Sequence, residues 1–212
     1  LNTRLAQVIS VLFHPLLMPT FLLGLLFFFA PDVLGIDVLA PSIRITLLGF
    51  VSMTTFVIPS LGIYYLYRAK YIKSLHLDDL ADRRLPYFLS TLFYAFATYF
   101  FSFSIPPLSE IAPEIGIVLG SITVSIGMVG LISLYWKISA HSVGIGGMLG
   151  AVLGIIVKFG HTNLMYSFIV LILMTGFLIS ARLKLNAHTP AQVAAGLFLG
   201  VSISLVTVWW FV

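Results

Sequence analysis

Seven stretches of about 20 or more mostly apolar residues follow one another along the chain, each long enough to cross a hydrocarbon core of about 30 Å as a helix. They span 5–30, 42–67, 86–105, 112–136, 141–159, 163–181 and 189–212, and short polar or proline-containing breaks separate them. A water-soluble fold would have to hide this surface, and with 60% hydrophobic and 8% charged residues there is too little polar surface to cover it. The pattern predicts an all-α, polytopic membrane helix bundle of about seven transmembrane helices, forming one domain over 1–212. The first stretch follows a lone Arg4 and contains His14, Pro15 and Pro19, so it reads as a retained, kinked helix rather than a signal peptide. The absence of cysteine removes disulfides and thiolate metal sites. A net charge of +4 on such a chain points to anionic lipid head groups rather than nucleic acid as partners.

Helix parity puts the N-terminus and the second, fourth and sixth breaks on one membrane face. Arg4, Arg68, Lys70, Lys73, Arg83, Arg84, Lys137, Arg182 and Lys184 gather there, against only Arg44 and Lys158 opposite. The positive-inside rule would make the basic face cytoplasmic. A phosphate site would recruit arginines on whichever side it opened, so the charge count leaves orientation open. Gly146, Gly150 and Gly154 recur every four residues in the fifth stretch, and Ala191, Ala195, Gly196 and Gly200 line the seventh. Small residues at this spacing let helix backbones approach closely in lipid, so both helices are expected at the centre of the bundle. Tyr64, Tyr65, Tyr67, Trp136, Trp209 and Trp210 near span ends fit interfacial belts.

Three breaks carry groups capable of chemistry. Residues 179–196 read ISARLKLNAHTPAQVAAG, with Arg182 six residues before His188. An arginine at a membrane face serves as a positive flank or, through its planar fork, as a phosphate ligand. Residues 136–147, WKISAHSVGIGG, set Ser139 and His141 at the start of a helix, where the serine caps the free N–H groups or shares them with an anion. Residues 71–88, YIKSLHLDDLADRRLPYF, place Arg83 and Arg84 just before Pro86, which suits the first turn of a helix. The same segment also fits a solvated interfacial helix laced by Asp79 and Arg83. Asp78, Asp79 and Asp82 spell the DDxxD pattern that holds magnesium and diphosphate in membrane prenyltransferases, but those enzymes need a second acidic cluster that this sequence lacks. His14 invites a haem-ligand reading, against a plainer one in which the ring bonds a backbone carbonyl freed by the adjacent prolines.

Together the three segments resemble the signature of the type-2 phosphatidic acid phosphatase superfamily, integral-membrane lipid phosphatases related to vanadium haloperoxidases. The resemblance covers about residues 73–196, and its family segments are K-x6-R-P, P-S-G-H and S-R-x5-H-x3-D. Arg182, five residues and His188 match the third, while Ser139-Ala140-His141 follows Ile138 where the second has proline. In the first, Leu85 separates Arg84 from Pro86, His76 holds the lysine spacing to Arg83, and Lys73 reaches the site only if the loop folds back. Gln192 stands where the family has the aspartate of its histidine–aspartate pair.

The resemblance implies a six-helix phosphatase-like core over 42–212 with an extra N-terminal helix over 1–40. It also implies a hydrolase that needs neither metal nor cofactor. His188 would attack phosphorus to form a phosphohistidine, and His141 would protonate the leaving alcohol. Arg182, Arg83, Arg84, Ser139 and Lys73 would bind the phosphate, and Gln192 would orient His188. A phospholipid or polyprenyl phosphate is the implied substrate and a bacterial inner membrane the expected location. The alternative is an impaired relative that binds or transports a lipid phosphate. Oligomeric state is not legible in the sequence.

Overall fold

The computed structural model describes residues 1–75, 77 and 79–212. Readings that involve His76 and Asp78, the lysine-like spacing and the first aspartate of DDxxD, lie outside the described residues. Those residues form helices and turns, with no strand among them. In chain order the helices are α1 (Thr3–Leu12), α2 (Met18–Phe29), α3 (Pro41–Ser52), α4 (Ile58–Arg68), α5 (Leu80–Tyr99), α6 (Pro106–Ile111), α7 (Pro113–Ile132), α8 (Ala140–Phe159), α9 (Met165–Lys184) and α10 (Pro190–Phe211). Among the described residues, six segments are long and apolar enough to cross a membrane: Thr3–Phe29, Pro41–Arg68, Pro113–Ile132, Ala140–Phe159, Thr162–Lys184 and Pro190–Phe211. Large apolar side chains such as Leu61, Val124, Val157, Ile172 and Phe198 point outward from them, a surface suited to lipid and not to water. The chain is an integral membrane protein with an all-α architecture.

The first span is broken where its sequence places His14 and Pro15. α1 ends at Leu12, a short 3₁₀ turn covers Pro15–Leu17, and α2 restarts at Met18. Proline lacks the N–H that would continue the ladder, which is why the break falls here. A π-helical turn at Met53–Val57 joins α3 to α4, directly before Pro59, whose missing N–H leaves the carbonyl four residues earlier without its usual partner.

The run at 86–105 departs from expectation. Its helix starts at Leu80, six residues before Pro86, and continues through a π turn at Phe100–Ser104. The first turns of α5 therefore carry Asp82, Arg83 and Arg84, and this helix is not among the six apolar spans. Pro86 sits inside the helix, where it removes one intrahelical bond. The early start draws Arg83 into the bundle, leaving it 4% exposed.

At the centre, α8 and α10 pack backbone against backbone. A Cβ added to Gly146 would lie 2.5 Å from the Leu197 carbonyl oxygen, and one added to Gly150 would lie 2.5 Å from that of Val201. From the facing side, a Cβ on Gly200 would overlap the Val143 carbonyl. Close approach of this kind lets dispersion hold helices together in lipid, where apolar burial contributes little. Of the two basic residues on the opposite face, Lys158 Nζ donates to the carbonyls of Val208 and Trp209 at the end of α10, each at 3.1 Å, and Arg44 donates to that of Phe27 near the end of α2 and to those of Asp37 and Leu39 in the loop before α3.

Candidate active site

A cavity of about 620 Å³ opens at the end of the bundle where α8 and α10 begin and α9 ends. Arg83, His141, Arg182 and His188 line it, joined by His14 from the break in the first span and by Tyr87 and Ser90 of α5. No carboxylate lines it among the described residues, so two guanidinium groups face three imidazoles in an anion-attracting space. Leu75, Leu77, Ile63, Val11 and Leu185 make the remaining walls largely apolar. A narrow apolar pocket between Met18, Tyr94, Ile126, Val129 and Gly144 adjoins it, and the two share Pro15, Ile126 and Ala140.

His188 occupies the turn between α9 and α10 and is 8% exposed. Its Nδ1 lies 3.2 Å from Gln192 Oε1, and the same oxygen accepts the Thr189 N–H at 3.1 Å. Only the amide oxygen accepts from a backbone N–H, so the second bond identifies the atom and requires His188 Nδ1 to donate. The proton is thereby held on Nδ1, and Nε2 carries the lone pair. Gln192 also completes a capping box with Thr189 at the start of α10, so one side chain fixes both the helix end and the imidazole. Burial is the main cause that lowers the His188 pKa to about 4, with Arg182, Arg83 and Lys137 adding to the effect and the Gln192 bond opposing it. At neutral pH the ring is uncharged and nucleophilic.

His141 stands in the first turn of α8 and donates from Nε2 to the Ser10 carbonyl at 3.1 Å, which leaves its lone pair on Nδ1. The His14 ring lies edge-on to it, with centroids 6.0 Å apart. His14 Nδ1 accepts the Leu16 N–H at 3.3 Å, so this histidine bonds an amide rather than the freed carbonyl expected from the sequence, and its own proton sits on Nε2. No group of three or more histidine or acidic side chains among the described residues is placed to hold a metal ion.

Arg83 is fixed from two directions: Nε donates to the Leu77 carbonyl at 2.8 Å and Nη1 to that of Ile138 at 3.1 Å. These bonds tie the second break to the fourth, and Leu77 accepts from a left-handed conformation at φ 53°, which is uncommon for a residue with a branched side chain. Arg182, in the last turn of α9, is half-buried and faces the same cavity.

Other sequence candidates sit elsewhere. Arg84 is exposed and does not line the cavity. Lys73 is held at the surface by Asp79, 3.4 Å away, and its N–H donates to Asp82 Oδ2 at 3.0 Å, so it does not fold back into the site. These contacts also replace the expected pairing of Asp79 with Arg83. Ser139 is fully buried, with its hydroxyl accepting from the Ser142 N–H at 3.4 Å and sharing a 2.9 Å bond with the Ser142 hydroxyl. It serves as the cap of α8 outside the cavity wall. The residues that sequence reasoning missed are Tyr87, Ser90 and the Ser10 carbonyl. The aromatic and the serine had no distinguishing signal in the sequence, and a backbone oxygen has none at all. No family model matches the chain, and no curated protein or solved structure matches it either.

Proposed function

We propose that the chain is a membrane lipid phosphatase that hydrolyses a phosphate monoester or diphosphate on a lipid head group through a phosphohistidine intermediate. The observation that carries this reading is the His188–Gln192 pair, which holds an uncharged imidazole with its lone pair on Nε2 in a cavity that also contains Arg83 and Arg182. In this reading the guanidinium groups bind the phosphoryl oxygens and stabilise the charge that builds on them during transfer. His188 Nε2 attacks phosphorus, and the leaving alcohol takes a proton that His141 can give from Nδ1 only after first acquiring one there. Water then attacks the phosphohistidine, His141 Nδ1 accepts its proton, and phosphate leaves. A phospholipid or polyprenyl phosphate suits a cavity whose adjoining pocket is apolar, and an inner bacterial membrane is the proposed location.

The test is phosphate release by purified protein in detergent from phosphatidic acid, phosphatidylglycerophosphate and a polyprenyl diphosphate. Release that His188→Ala abolishes, with a base-stable, acid-labile phosphoenzyme in the parent, is the expected result. Gln192 favours a second reading, because its neutral amide orients His188 without stabilising the positive ring that forms during transfer. In chymotrypsin-like proteases the corresponding carboxylate-to-amide change lowers turnover about 10⁴-fold, chiefly through the wrong tautomer. Here the tautomer is the productive one, so only the charge is missing. Lipid-phosphate binding that survives His188→Ala, in a parent without turnover, would establish a binding or transport protein instead.

A further inference from the structure

We propose that His14 is a further acid–base group of this site, sharing with His141 the proton that reaches the leaving alcohol. The proposal rests on the phosphatase reading. Its starting point is the tautomer of His141: Nε2–H is committed to the Ser10 carbonyl at 3.1 Å, and the ring presents only a lone pair on Nδ1. In that form His141 accepts a proton and has none to give. His14 has the complementary arrangement, with Nδ1 occupied by the Leu16 N–H and the proton on Nε2. The rings meet edge-on at 6.0 Å between centroids, and both line the cavity. His141 is half-buried at the start of α8 whereas His14 is the more open of the two to the cavity they both line.

Arg182 of α9, Arg83 and Tyr87 of α5, Tyr64 of α4 and His188 face the pair across the cavity. The arginines oppose a charged imidazole while the cavity is without an anion. A phosphate dianion placed between them and the histidines reverses that balance and draws one proton onto the pair. As the bond from His188 Nε2 to phosphorus forms, the bond to the leaving oxygen breaks. That oxygen keeps the electron pair and takes the proton. In the second step water attacks phosphorus, the N–P bond returns its electrons to Nε2, and the proton lost by water goes to the free Nδ1 lone pair of His141, a step that does not use His14. Each turnover thus removes one proton from the two histidines and returns one.

The experiment compares phosphate release from phosphatidic acid, whose alkoxide leaving group needs protonation, with release from p-nitrophenyl phosphate, whose leaving group does not. His14→Asn keeps an acceptor for the Leu16 N–H and removes the acid. The expected result is a loss of about 10² in kcat on phosphatidic acid, an unchanged KM, and less than about threefold change on p-nitrophenyl phosphate. Retained turnover of the activated ester also shows that the variant is folded. His14→Ala with added imidazole provides a second arm, with recovery on phosphatidic acid alone expected. An equal loss on both substrates, or no loss on either, overturns the role of His14 while leaving the phosphatase reading intact. A parent that hydrolyses neither substrate overturns both.

Discussion

Replacing Gly150 with alanine tests whether α8 and α10 meet through their backbones. The new Cβ would lie 2.5 Å from the Val201 carbonyl oxygen and 2.9 Å from its Cα, whereas ordinary contact begins at 3.4 Å. The helices would therefore have to part by roughly 0.9 Å along that line, against a dispersion well only a fraction of an ångström wide. Overpacking of this kind costs about 1–3 kcal/mol. The better helix propensity of alanine offsets about 1 kcal/mol, so the net loss is at most about 2 kcal/mol. At this chain length that corresponds to a Tm lower by up to about 8 °C. Gly176→Ala is the matched control, because nothing lies within 4 Å of the added Cβ, and it should leave Tm unchanged or raise it by up to about 4 °C. Thermal unfolding in detergent, followed by the fluorescence of Trp136, Trp209 and Trp210, reads both. A Gly150→Ala protein as stable as Gly176→Ala would refute the close backbone approach.

Adjacent arginines should behave differently: Arg83→Ala should lower lipid phosphate turnover by 10²-fold or more, while Arg84→Ala should change it by less than about threefold, since only Arg83 lines the cavity. Gln192→Glu keeps the length needed to accept from both Thr189 N–H and His188 Nδ1 and adds the missing charge, so turnover should rise by about tenfold or more; an unchanged or lower rate would mean that the ring charge is not limiting. Because His188 has a pKa of about 4 in the folded chain, against about 6.5 when unfolded, the unfolded state binds the extra proton first. Its contribution to stability is therefore complete above about pH 6.5 and is lost as pH falls toward 4, a trend that Tm measured from pH 7.5 to 4 should follow and that His188→Gln should diminish. The acid limb that His188 imposes on turnover should fall near pH 4, and Gln192→Glu should move it upward.

The membrane bundle was legible because apolar runs of span length have few alternative folds, and the small-residue stripes marked α8 and α10 because backbone contact in lipid demands them. The chemistry was legible only in part. Arg83 and Arg84 are neighbours in sequence but lie about 100° apart around a helix, so nothing short of knowing where α5 starts could separate the residue that faces the cavity from the one that faces out. Pro86 misplaced that start, since a proline that is ideal for a first turn was tolerated inside the helix instead. Thr189 and Gln192 carry the spacing of a capping box, a signal present in the sequence that explains a glutamine at this position on helix grounds alone. The role of Ser10 could not be read at all, because it acts through a carbonyl that every residue possesses.

The glycine contacts between α8 and α10 have a consequence for how a lipid gets in. His141 rides on the first turn of one helix and His188 immediately precedes the other, and the Ser139 N–H reaches the Gln192 carbonyl at 3.4 Å across their starting ends. The two histidines are thus mounted on a single stiff frame that has no seam wide enough for a hydrocarbon chain. The opposite wall of the cavity comes from α1, which contributes Gln7 and Val11, and α4, which contributes Ser60, Ile63 and Tyr64. Ser10 and His14 belong to that wall and not to the frame. A ligand that entered on that side would pass beside the carbonyl that sets the His141 tautomer.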